Sequence, residues 1–397
     1  MKKVLSILAL LLAFACVFTL AACGGKNDST PPAGQSTAAQ SPAAGGAPAG
    51  GEAEPDLTKT WHIGMNVWGT APVLTLYGDE QEYALKAIGM TCDRASDDNN
   101  ADKELQNIQN FVSQGVDGLL IQGAGATTIP QMANEATKAK IPFVLSIFTG
   151  TPEVRAELAK NEYYGGAAAS DLVADGRILG QKAIEDGCKT ACIIGGNIGD
   201  LNMDNRSKGF REGFEGGGGK IVAEERCTDN SECLTKALSM LSANKDVDCI
   251  YIMVGDYVEG TLTALDTLGI TGTKCYLSAV NAGSAKYIKE GRIVAGSGGT
   301  TFACDVSPTL LLNILDGHPI KDENGDPPFF AIPTSLVTKD NVDAYVEVFL
   351  SENAHPVSPD VLKKLCYRYN PDVTYQTYLD VIQNELTVDA VLKAYGK

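Results

Sequence analysis

From Trp61 onward the chain alternates short apolar runs with amphipathic segments, and this rhythm leaves few folds open. WHIGMNVWG reads as a strand, LYGDEQEYALKAIG as a helix closing at Gly89, and MTCDRAS as a second strand. DDNNADKELQNIQNFVSQG reads as a capped helix, VDGLLIQG as a buried strand, TTIPQMANEATKAK as a helix and IPFVLSIF as another strand. A strand returning after each helix predicts a parallel sheet with helices on both faces. The theme then restarts. AAASDLVADGRILGQKAIEDG reads as helix, CKTACIIGG as strand, LNMDNRSKGFREGFEG as helix and GKIVAEERC as strand. SECLTKALSMLSANKD and DYVEGTLTALDTLG are further helices, alternating with strands VDCIYIMVG and TKCYLSAV. The expected fold class is α/β, with two doubly wound parallel-sheet lobes in succession.

Ahead of this region, Lys2 and Lys3 precede an apolar run from Val4 to Leu20, followed by Ala21, Ala22 and Cys23. A positive start, an apolar core and small residues before a cut read as an export signal. A Cys just after the cut is similar to the lipobox of bacterial lipoproteins. That resemblance implies a lipid on Cys23 and a tether outside the cytoplasmic membrane. An uncleaved anchor is the alternative, against which the run is short beside the ~20 residues of a spanning helix. From Gly24 to about Pro55 the chain is almost entirely small and polar, without a large apolar residue, and reads as a flexible leash.

The net charge of −17, from 32 basic and 49 acidic residues, argues against nucleic acid or an anionic membrane as a partner. Of eleven cysteines, Cys16 leaves with the signal and Cys23 with the lipid, so nine remain and at least one stays unpaired. Cys192 and Cys249 lie in apolar runs as small core residues, whereas Cys227 and Cys233 flank a polar loop and are either bridged or free. No CxxC pair occurs and His62, His318 and His355 are isolated, so neither a metal nor a cofactor is expected. No nucleophile elbow, phosphate loop or carboxylate pair stands out, and no enzymatic activity is expected.

Several segments together resemble the type I periplasmic-binding-protein superfamily, in particular ribose- and galactose-binding proteins of bacterial sugar ABC transporters. ADKELQNIQNFVSQGVDGLLI is similar to the family's helix and Gly-Val-Asp-Gly turn, and NEATKAKIPFVLSIF to the strand that leads to the hinge. DLVADGRILGQKAI resembles the first helix of the second lobe, RSKGFREGF an Arg-x-x-Gly-Phe helix, and DVDCIYIMVGD and AKYIKEGRIVA later family elements. The resemblance covers roughly residues 60–338. After the signal at 1–22 and the lipid-bearing Cys and linker at 23–57, it implies a first lobe at 58–165 plus about 298–332. The second lobe would take 166–297 plus about 333–340, with a helical extension over 341–397.

In such proteins the ligand lies between the lobes, at the carboxyl ends of the strands. Asn66 and Trp68 leave the first strand, the amide suited to a hydroxyl and the indole to stacking on an apolar sugar face. Trp68 and Phe148 are stacking rings or ordinary packing. Arg206 matches the family's second-lobe arginine, and Asn202 stands one turn earlier; a solvated helix face is the alternative. Asp229 and Asn281 follow strands, and Asp256 is either a ligand contact or the N-cap of the next helix. The chain departs from ribose-type relatives in having Ile147 and Phe148 where they carry Asp-Arg, and Gly255 in place of an Asn. Those losses imply a less polar, more aromatic cleft, open to a different sugar, a nucleoside or another cyclic metabolite.

The functional expectation is an extracytoplasmic solute-binding lipoprotein of an ABC importer, monomeric, taking a sugar or sugar-like molecule to a permease. A sensory binding protein and an exported enzyme on the same scaffold are the other two classes. The Tyr-rich tail after Pro333 is expected to pack on one lobe or to reach over the cleft.

Overall fold

The computed structural model describes residues 58–397 apart from 124 and 126. The expected signal, Cys23 and linker lie outside the described residues. The first sheet takes β1 (His62–Val67), β2 (Thr91–Ser96), β3 (Gly118–Ile121), β4 (Phe143–Ser146) and β5 (Tyr164–Ser170). A late strand, β11 (Phe329–Ile332), completes it in the order β11-β5-β4-β3-β1-β2, all parallel. The second sheet joins β6 (Thr190–Ile194), β7 (Lys220–Glu225), β8 (Cys249–Ile252), β9 (Lys274–Leu277), β10 (Ala295–Gly298) and β12 (Ser335–Thr338). Its order is β12-β10-β9-β8-β6-β7, and only the β10–β12 pair is antiparallel.

Every residue of β3, β4 and β8 is buried, as a strand covered by helices on both faces requires. The helices of the first lobe are α1 (Pro72–Ala87), α2 (Ala101–Gln114), α3 (Thr128–Ala139) and α4 (Pro152–Leu158). Those of the second are α5 (Leu172–Glu185), α6 (Leu201–Gly216), α7 (Asn230–Ala243), α8 (Val258–Leu268) and α9 (Ala282–Lys289). The α2 start shows why sequence and fold agree: the Asn100 side chain accepts the amides of Asp102 and Lys103, and Gly115 closes the helix at a φ of 75°. Cys227 and Cys233 form a disulfide across the turn that starts α7, with Cα atoms 5.2 Å apart. Cys192 and Cys249 are buried free thiols.

Three links join the lobes. Asp171 runs from β5 to α5, residues 299–301 run from β10 to α10 (Phe302–Leu315), which packs on β3, β4 and β5, and residues 333–334 join β11 to β12. One expectation needs correction here. Ala167–Ser170, read as the opening of a helix in the second lobe, instead finish β5 of the first, so the first link falls after Ser170 rather than at 165. Gly and Ala are poor strand formers, and this segment is a strand because β4 and β11 pair with it on either side.

The extension forms α11 (Val342–Phe349), α12 (Pro359–Lys364), α13 (Tyr375–Asn384) and α14 (Val388–Ala394). It packs on both lobes rather than one. α11 lies on α9 and β12, and α14 on α11 and β12, whereas α12 lies on α1 and α10. Tyr378 of α13 reaches α10, where its hydroxyl contacts Thr309 Oγ1 at 2.8 Å and accepts from Asn313 Nδ2 at 2.9 Å. Tyr345 of α11 covers the second link, its hydroxyl accepting the Gly299 amide at 3.3 Å.

Candidate solute cleft

Loops that leave the carboxyl ends of both sheets face a cavity of about 210 Å³. On the first-lobe side Trp68 follows β1, and its amide donates to Gln122 Oε1 at 3.2 Å. Gln122 is held in turn, donating to Gln81 Oε1 at 2.9 Å. Beyond β4, Ile147 adopts a left-handed φ of 62°, and the Phe148 amide turns back onto the Ser146 carbonyl at 2.6 Å. A β-branched residue enters that region only at a cost, and such strain concentrates at functional sites. The turn sets Ile147 and Phe148 into the cavity wall. Ala279, with a φ of 55°, follows β9 and lines the opposite lobe.

The second-lobe wall is built on α6. Asp200 caps it, accepting the amides of Asn202 at 2.9 Å and Met203 at 3.4 Å. Arg206 follows one turn later, in line with the spacing of one helix face. Glycines bring α5 against α6: a Cβ on Gly176 would lie 2.2 Å from the Arg206 carbonyl oxygen, and one on Gly209 2.0 Å from that of Val173. That approach places Arg206 Nε 3.1 Å from Asp175 Oδ2. Burial, the largest single influence, lowers the affinity of the guanidinium for its proton, but attraction by Asp175 together with Tyr251, Tyr77 and the Asp175 hydrogen bond outweighs it and the pKa is raised.

Five of the eight expected residues, Trp68, Phe148, Asn202, Arg206 and Asp256, line this one cavity. Three do not. Asn66 is buried within the first lobe, donating to Asp97 Oδ2 at 2.9 Å and accepting from Asn107 Nδ2 at 2.9 Å. Asp229 caps α7, accepting the Glu232 amide at 2.8 Å. Asn281 caps α9 in a reciprocal arrangement with Ser284, and its Nδ2 donates to Asp256 Oδ1 at 3.2 Å, so it braces a lining residue. The N-cap alternative for Asp256 is corrected as well: Asp256 sits in the short turn Gly255–Tyr257, and Tyr257 precedes α8 without a side-chain cap bond.

Sequence reasoning missed Tyr77, Ser170, Leu172, Asp200, Met203 and Tyr257 in the lining. Tyr257 adjoins Asp256 and shares its loop, which is the signal that was available. Its phenol is pushed up by burial and then by the carboxylates of Asp256 and Asp200. Tyr77 lies on α1 among apolar residues, and burial pushes its phenol up against an opposing bond to Thr300. The lining is dominated by rings and aliphatic groups, with Ser170, Asp200, Asn202, Arg206 and Asp256 as its hydrophilic members.

The family model of the periplasmic binding protein domain matches residues 67–303. The chain belongs to the periplasmic-binding-protein family. Its two lobes have the type I architecture. This periplasmic binding protein is 25% identical over 199 residues to the ribose import binding protein of Salmonella typhimurium, a match covering 50% of this chain and 64% of that protein. It is 21% identical over 198 residues to the galactofuranose-binding protein of Escherichia coli, covering 48% of this chain and 60% of that protein. Thus it spans less than two thirds of the length of these curated relatives. Among solved structures, the binding component of a Shewanella arabinose ABC transporter, bound to L-arabinofuranose, superposes with a TM-score of 0.62 at 17% identity. That match covers 72% of this chain and 94% of that one. A Bacillus halodurans solute-binding protein with bound myo-inositol gives 0.60 at 17% identity, covering 72% of this chain and 96% of that one. These likenesses carry the fold.

Proposed function

We propose that this chain is an extracytoplasmic solute-binding protein of an ABC importer. It captures a sugar or sugar-like small molecule between its lobes and hands it to a permease, with a lipid on Cys23 as its tether. The observation that carries the reading is the convergence of Trp68 and Phe148 from one lobe and Asn202, Arg206 and Asp256 from the other on a single cavity. Rings offer a face to the C–H side of a sugar, while the amide, guanidinium and carboxylate meet hydroxyls. Relatives named for ribose and galactofuranose support the same solute class.

The balance of the lining narrows the guest. Rings and aliphatic groups outnumber hydrophilic side chains, which favours a solute with one extended apolar face. Binding to the closed form alone would draw the lobes together, since a ligand shifts such an equilibrium only by its differential affinity. A thermal-shift screen over pentoses, hexoses, inositols and nucleosides tests the reading, because a solute that binds only the folded chain raises its melting temperature. A rise with one member is the expected result, and no rise across the screen contradicts it.

A further inference from the structure

We propose that Asp175 is a positioning residue that fixes the pose of Arg206 and ties it to the third link between the lobes. The inference rests on the reading of Arg206 as a solute contact. Asp175 lies in the first turn of α5, soon after the first link, and is 0% exposed. Its Oδ2 accepts from Arg206 Nε at 3.1 Å and from Ser278 Oγ at 2.5 Å, and its Oδ1 accepts from Thr334 Oγ1 at 2.9 Å. Ser278 follows β9 and also contacts the Tyr251 hydroxyl at 2.5 Å, while Thr334 stands in the link between β11 and β12. One carboxylate therefore gathers donors from α6, from the end of the second sheet and from a link on which the lobes turn.

The chemistry suits a carboxylate and no other group of this size. Three donors converge on it, and an amide would offer one accepting oxygen while turning an NH₂ toward donors. A buried carboxylate is costly unless it is paired, and Arg206, itself 5% exposed, is the pair. Because Asp175 engages only Nε, rotation about the last bonds of Arg206 is fixed while its terminal amines stay free of this carboxylate. Arg206 lines the cavity, so the fork is presented to a solute in one orientation. Thr334 then links that orientation to the hinge: displacing Arg206 pulls on the carboxylate that holds the third link.

The test uses the full chain carrying Asp175→Asn, with Thr334→Val as a second variant that removes only the link's donor. The ¹⁵N resonance of Arg206 Nε, assigned by its absence in Arg206→Lys, reads the pose without any solute. A slowly exchanging Nε–H in the parent that is lost in Asp175→Asn is expected, and its retention overturns the assignment. D-ribose, L-arabinose and myo-inositol serve as probes, followed by stopped-flow fluorescence. For a probe that binds the parent, Asp175→Asn should weaken affinity about tenfold, as for one charge-assisted bond lost. Thr334→Val should speed dissociation about fivefold with association little changed, the size of one hydrogen bond. Unchanged affinity in the first variant, or unchanged dissociation in the second, overturns the corresponding half. If no probe binds the parent, the solute reading for this class fails, while the Nε resonance still decides the pose.

Discussion

Asp305 of α10 faces Glu80 of α1 carboxyl to carboxyl, both buried. Among the described residues no donor reaches either Asp305 oxygen, so a bond between the pair forms only when one carries a proton. Glu80 turns its other oxygen to His355 Nδ1, 2.9 Å away in the extension. Burial, and then the Glu80 charge, holds the Asp305 carboxyl well above the usual 3.8. The folded chain therefore binds this proton more tightly than the unfolded chain. Its contribution is full below 3.8 and is lost as pH rises through the raised value. Asp305→Asn, which resembles the protonated form, should flatten this dependence. Melting temperature across pH 5 to 9 is the measurement, with the parent expected to fall relative to the variant as pH rises. Parallel curves would contradict the sign.

Trp68 meets Phe148 edge to face, with ring centroids 4.2 Å apart and planes at 76°. The chain has two tryptophans, and the other, Trp61, lies away from the cavity with its indole bonded to Asp316 Oδ1 at 2.9 Å. A solute entering the cleft should therefore change emission through Trp68 alone. Trp68→Phe is expected to abolish the change, and Trp68→Ala to weaken affinity about tenfold, near the 1.4 kcal/mol that a stacked ring can supply. Persistent emission change in Trp68→Phe would remove Trp68 from the site.

Tyr378 ties the extension to the first lobe. Its buried hydroxyl donates to the Leu365 carbonyl at 2.9 Å, besides its contacts with Thr309 and Asn313. Tyr378→Phe keeps the ring, which stacks on Phe330 with centroids 4.9 Å apart, and removes the hydroxyl's contacts, while Asn313 Nδ2 still donates to the Leu365 carbonyl and Thr309 Oγ1 to that of Val306. The expected cost is about 0.5–1.5 kcal/mol, read as a lower urea midpoint. An unchanged midpoint would mean that the hydroxyl adds nothing.

Gly209 sets how closely α5 and α6 approach. Gly209→Ala should cost about 1–3 kcal/mol by overpacking and, by displacing Arg206, should weaken solute binding as well. Calorimetry of stability and affinity on the same variant checks both halves.

How far the sequence could be read follows from what each signal records. Apolar periodicity reports which face of an element is covered, and it gave the alternating strands and helices of both lobes. It says nothing reliable where composition is neutral, as in Ala167–Ser170, where pairing with β4 and β11 rather than residue type makes a strand. Residue type after a strand marks the right end of the sheet but not the direction of the side chain. Asn66 therefore turned into the lobe, and Asp229 and Asn281 turned back to cap their helices. Asp175 carried no signal at all, because a carboxylate in a first helical turn is ordinary. Only the approach of α6 and the third link makes it a buried junction.

The most direct measurement is a crystal structure of the chain with the solute that stabilises it most. Density for that solute between the Trp68 and Phe148 rings and the Arg206 guanidinium is the expected result. A stabilising solute bound elsewhere, with this cavity empty, would contradict the account.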